Sequence, residues 1–159
     1  MLVENDGKEL DLTTAQKVFG YFEKSKIIDL IEQILEGNEE SSLKLFRDIY
    51  ISGVEPKVFL NEFLETLYYI KNVDYINLGG ANFDLNDKEL EKTRSLSKKI
   101  SKKDLLLLWQ FTLNNLDKID IIKNQSHFVE MFLIRSLYIK KILKDGKNPK
   151  NDRFTQKLN

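Results

Sequence analysis

The segment from Phe128 to Ile142 constrains this chain more than any other. Phe128, Val129, Met131, Phe132, Leu133, Ile134, Leu137, Tyr138, Ile139 and Ile142 surround most of a helical axis there. A helix apolar on nearly every side sits centrally in a bundle or is covered by a partner. Ser126 is the expected N-cap of this helix, over 127–144. Arg135 is the only strongly basic residue inside it before Lys140. Such a residue snorkels to water or pairs with an acid across an interface.

Helical spacing recurs along the rest of the chain, and no strand-like alternation persists. Residues 1–12 are mostly polar, and a short helix is expected from Thr13 or Thr14 to Phe19, ended by Gly20. Ile27, Ile28, Ile31, Ile34 and Leu35 form the clearest single stripe, with Ser25 as N-cap and Gly37 as the stop. After Asn38, a third helix sets Leu43, Phe46, Ile49 and Tyr50 on one face and ends at Gly53. Pro56 then opens a long helix to about Ile76, because proline at the first helical position sacrifices no hydrogen bond. Phe59, Phe63, Leu67 and Ile70 line one side of it, widened by Leu60 and Leu64.

Residues 77–84, with Gly79 and Gly80, read as the one clear loop. Asn86-Asp-Lys-Glu89 is a capping box opening a polar helix whose thin apolar side is Leu90, Leu96 and Ile100. Ser101-Lys-Lys-Asp104 resembles a second box. Behind it Leu105, Leu108, Trp109, Thr112, Leu116 and Ile119 share a stripe. The expected fold is all-α, a single bundle of about five to six helices. Residues 21–144 form the bundle, 1–20 an N-terminal segment and 145–159 a flexible tail.

Composition narrows the chemistry. With 25 basic and 25 acidic residues the net charge is zero, whereas a dedicated nucleic-acid binder carries a positive excess. No cysteine is present, which removes thiolate nucleophiles, disulfides and thiolate metal sites. The longest strictly apolar run, Leu105 to Trp109, is far short of the roughly 20 residues that cross a bilayer. Met1 to Gly7 shows no secretory signal.

The motifs that resemble catalytic or ligand sites have simpler readings. Gly79-Gly80 lacks the lysine and spacing of a phosphate loop. Asp84, Asn86 and Asp87 fail the calcium-loop pattern, since the required glycine is missing and Ser95 stands where glutamate is needed. His127 and Glu130 lie three apart on one face, but no third ligand is near in sequence. The lysines at 98, 99, 102 and 103 lack interleaved aromatics and read as a solvated helix junction. Trp109 reads as a core residue whose indole N–H needs a partner. The expected catalytic, cofactor and metal residues are therefore none.

In order along the chain, several segments resemble one family. They are Thr13 to Gly20, Lys26 to Gly37, the turn Gly53-Val-Glu-Pro56, the Trp109-Gln110 helix from Leu105 to Leu113, and Glu130 to Tyr138. Together, over about residues 17–143, they resemble domain III of the gamma/tau subunit of bacterial DNA polymerase III, the clamp-loader collar. The resemblance implies an all-helical, non-catalytic oligomerisation domain in the cytoplasm. It implies partners in other gamma/tau protomers, the delta and delta′ subunits and, in some relatives, psi, without direct contact to nucleic acid or membrane. ATP and zinc belong to the family's preceding domains, so no cofactor is expected here, and residues 1–20 resemble the segment leaving a lid domain. Interface candidates are Trp109, Leu133, Arg135, Leu137 and Tyr138, on the last two helices. The competing readings are a generic helical adaptor, a small-ligand-binding bundle, and a metal-assisted hydrolase that would have to use His127.

Overall fold

Residues 24–75 and 85–145 are described in a computed structural model. The short helix expected at 13–19, the Gly79-Gly80 loop with Asp84, and the tail beyond 145 lie outside these residues. The described elements are α1 (24–36), α2 (Glu39–Ile51), α3 (Pro56–Asn72), a 3₁₀ turn (Val73–Tyr75), α4 (Asp87–Lys99), α5 (Lys102–Leu116), a second 3₁₀ turn (Ile119–Ile121) and α6 (Gln125–Asp145). No strand occurs among the described residues. The all-α bundle is the architecture the sequence called for.

Local chemistry explains most of the boundaries. Gly37 adopts φ +82°, its N–H donates to the Ile34 carbonyl at 3.1 Å, and the Asn38 N–H donates to the Gln33 carbonyl at 3.0 Å. That paired arrangement closes α1 with its orphan carbonyls satisfied. Gly53, at φ +103°, ends α2 in the same left-handed region. Pro56 occupies the first turn of α3.

At α4 the capping box is complete. The Glu89 N–H donates to Asn86 Oδ1 at 2.8 Å, and the Asn86 N–H donates to Glu89 Oε2 at 3.3 Å. At α5 only half of a box forms. The Asp104 N–H donates to Ser101 Oγ at 3.1 Å, while aspartate is one methylene shorter than the glutamate a reciprocal bond wants.

Two expected caps are corrected. Residue 24 is already helical, so Ser25 lies inside α1. Asn124, not Ser126, caps α6: its Oδ1 accepts from the His127 N–H at 3.1 Å and from Ser126 Oγ at 2.9 Å. Ser126 sits within the first turn and helps to hold the cap.

The centre of the bundle is α3. It packs against α4, α5 and α6 and buries Phe59, Leu60, Phe63, Thr66, Leu67 and Ile70. An aromatic chain runs through it. Phe46 meets Phe59 edge-on at 4.9 Å, Phe59 lies 6.0 Å from Phe63, and Phe63 meets Phe132 edge-on at 5.4 Å. Phe132 then stacks on Phe111 at 5.3 Å. Four helices thus share one series of rings, each pair contributing about 0.5–1.5 kcal/mol beyond its buried area. α1 is also deeply embedded, because Leu30 is buried in addition to the five residues of its stripe.

Hydroxyls occupy buried positions that apolar periodicity does not mark. Thr66, Thr93, Thr112 and Ser136 each donate to the carbonyl four residues earlier, at 2.7–2.8 Å. Their hydrogen bonds are satisfied within their own helix, so small side chains sit in the core without an unpaired polar atom.

Candidate protein-interaction surface

α6 is not the centre of its own protomer. Val129, Phe132, Leu133, Ser136 and Leu137 turn inward, against α2, α3 and α5. His127, Met131, Arg135 and Tyr138 recur at helical spacing along the opposite face, all exposed. Met131 is 55% exposed and Tyr138 52%. This disposition corrects the sequence-derived choice between a central rod and a covered one: centrality falls to α3.

The five interface candidates therefore separate. Leu133 and Leu137 are core residues, 0% and 6% exposed, and leave the set. Arg135 and Tyr138 stay on the outer face of α6. The Arg135 guanidinium lies 4.8 Å from the centre of the Phe111 ring, at the end of the aromatic chain. The ring face holds it, and among the described residues it pairs with no acid. Trp109 is half-buried on the other side of α5, where it lines a groove with Leu67, Tyr68, Lys71, Leu105 and Leu106. The structure thus divides the candidates between two surfaces.

Met131 was absent from the candidates, although it lies midway between His127 and Arg135 on the outer face. Its spacing from those polar residues was the signal that could have found it. An exposed helix face marked by polar residues at i and i+8 leaves the residue at i+4 exposed too.

Ion pairs fix neighbouring helices around these surfaces. Arg47 of α2 reaches Glu130 of α6, with Nε at 2.8 Å from Oε1, and this pairing raises the already high pKa of the guanidinium. Lys92 and Lys99 of α4 pair with Asp29 and Glu32 of α1 at 2.6 and 3.1 Å. Lys57 holds Asp120 at 2.8 Å. Being largely solvated, these pairs set orientation more than stability.

The catalytic and metal alternatives gain nothing from this geometry. Glu130 is engaged by Arg47 rather than aimed with His127 at a common point. No group of three metal-ligating side chains assembles among the described residues. Among them, every buried side-chain nitrogen and oxygen has a hydrogen-bond partner, so no polar group is left aimed into a cavity as a ligand pocket would require. No helix of the described residues is long and apolar enough to cross a membrane.

The bundle has a counterpart among solved structures. The delta protein of the DNA clamp loader of Bacillus subtilis superposes with a TM-score of 0.61 at 18% identity, over 73% of this chain and 37% of that one. The chain thus spans little more than a third of that protein, and the likeness is one of fold. No curated relative matches the sequence. The fold defines a helical bundle of the clamp-loader type. More particularly, the chain belongs to the family of domain III of the gamma and tau subunits of DNA polymerase III, whose model matches residues 10–151. That domain is a non-catalytic part of the clamp-loader subunit.

Proposed function

We propose that this chain is a collar-type assembly domain, holding a gamma/tau-type subunit in a ring with its neighbours during DNA replication. Its partners are further gamma/tau protomers and the delta and delta′ subunits, with psi in relatives that carry it, and its place is the cytoplasm. It binds no nucleotide or zinc itself; those belong to the domains that precede it in the family.

The observation that carries this reading is the outer face of α6. Met131 and Tyr138 remain in solvent on a helix whose other face anchors the core. Covering such residues stabilises association by about 25 cal/mol per Å² of apolar area removed from water. The zero net charge suits contact with protein rather than with a polyanion.

The test is co-migration on size exclusion with delta and delta′ of the same source. The wild-type chain is expected to elute with them. Met131→Glu/Tyr138→Glu is expected to elute alone while keeping its helical circular dichroism and its melting temperature. A wild-type chain that stays monomeric beside competent delta and delta′ overturns the proposal.

A further inference from the structure

The groove between α3 and α5 is separate from the outer face of α6 and has a chemistry of its own. Leu67 and Leu105 form its buried floor, and Tyr68, Leu106 and Trp109 form its walls, around a cavity volume of about 190 Å³. Tyr68 is 50% exposed and Leu106 55%, so both walls stand in solvent.

A second hollow of about 180 Å³ shares Lys71 and Leu105 with this groove and reaches to Lys98 and Lys102. Lys71, Lys98 and Lys102 have no ion-pair partner among the described residues, unlike Lys92 and Lys99 nearby. Among the described residues Asp74 is the only carboxylate lining that hollow, beside three lysines. The two adjoining hollows together make a trough with an apolar end at Trp109 and a basic end at Lys102.

From this we infer that the trough is the docking site for an acidic amphipathic helix of a protein partner. The eight residues from Lys102 to Trp109 span about 10 Å along α5, two turns of a docked helix. Such a helix would place apolar side chains at i and i+3 or i+4 over Leu106 and Trp109. A glutamate or aspartate one turn further would lie among the three lysines. Tyr68 and Trp109 offer a base rings to stack on, but the zero net charge of the chain favours a protein partner over a polyanion. The inference does not depend on the collar reading, since it uses none of the α6 residues.

Trp109 is the only tryptophan in the chain, so its emission reports occupancy directly. The probe is a synthetic helical peptide with leucines at i, i+4 and i+7 and glutamates on its flanks, titrated against the full chain. A counterpart with lysine for every glutamate and a 20-nucleotide oligo-dT serve as the other arms. The glutamate peptide is expected to shift the emission saturably, with affinity falling as salt rises.

Lys71→Glu/Lys102→Glu should weaken that binding at least tenfold, and Leu106→Glu, at an exposed position, should do the same with the melting temperature unchanged. Equal binding of the lysine peptide, tighter binding of oligo-dT, or no saturable shift overturns the inference. So does a chain that sediments as a dimer until Leu106→Glu separates it, because the occupant would then be a second copy.

Discussion

α3 and α6 carry comparable loads of large apolar residues but dispose of them differently. α3 presents Phe59, Leu60, Phe63, Leu67 and Ile70 to neighbours on several sides, and all are buried. α6 buries Val129, Phe132, Leu133 and Leu137 but leaves Met131 and Tyr138 outside. Apolar residues around a helix therefore do not show where the helix sits. What distinguishes the two is the position of their neighbours. α3 lies between helices that return to it from both directions along the chain, whereas α6 comes last and takes an edge.

The sharpest way to break this comparison is to truncate one large apolar side chain on each helix. Phe63→Ala empties the junction of Phe59, Phe132 and their shells, and should destabilise the chain by about 3–5 kcal/mol. Met131→Ala, on the outer face of α6, should stay within about 0.5 kcal/mol. Urea denaturation followed by circular dichroism measures both. Similar losses in the two variants would mean that α6 is as enclosed as α3.

Much of the core was legible in the sequence, though not this contrast. The stripe on α1, the run from Phe59 to Ile70 and the α5 stripe from Leu105 through Ile119 are all buried or half-buried. They were legible because each repeats at 3.6 residues and carries large side chains. α4 was read less well. Its inward face runs through Glu89, Thr93 and Leu96, with Leu90 only half-buried, because a capping carboxylate and a back-bonded hydroxyl carry no apolar signal. The expected face of α2 was also rotated: Ser42, Phe46 and Ile49 are buried, while Tyr50 is exposed.

The candidate surfaces were legible only in part. Trp109, Arg135 and Tyr138 lie on accessible faces, whereas Leu133 and Leu137 do not. A helix rich in apolar residues on all sides gives no phase from which to choose its outer face. The trough between α3 and α5 depends on residues some 35 positions apart, and no local pattern contains it.

Two boundary residues test how much the periphery supports the centre. In Asn86→Ala, the Glu89 N–H loses its acceptor and the buried Glu89 carboxylate loses the Asn86 side-chain amide, which donates to it at 3.0 Å. A loss of about 1–2 kcal/mol is expected from urea midpoints. Gly37→Ala should destabilise by roughly 1 kcal/mol through its left-handed backbone alone. No atom lies within 4 Å of where the new Cβ would stand, so packing adds nothing to that figure. A larger loss at Gly37 than at Asn86 would show that the α1–α2 corner is tighter than its open surroundings indicate.

The smallest effect probes the one α3 carboxylate that burial disturbs. Partial burial raises the pKa of Glu62 above the usual carboxylate range; Lys24 opposes the shift and Glu65 adds to it. A raised folded-state pKa means that the folded chain holds this proton more tightly than the unfolded chain does. Below the ordinary carboxylate value both states are protonated, and Glu62 contributes no penalty. As pH climbs through the ordinary value and then the raised one, the unfolded state gains relative to the folded, and stability falls. Glu62→Gln removes the charge and should therefore stabilise the chain at pH 7, by a few tenths of a kcal/mol given how much of the group remains solvated. At pH 3.5 the same substitution should change almost nothing. Thermal melts of both chains across that range measure the difference. A Glu62→Gln variant less stable at pH 7 than at pH 3.5, relative to wild type, would mean that the attraction of Lys24 outweighs burial on this flank of α3.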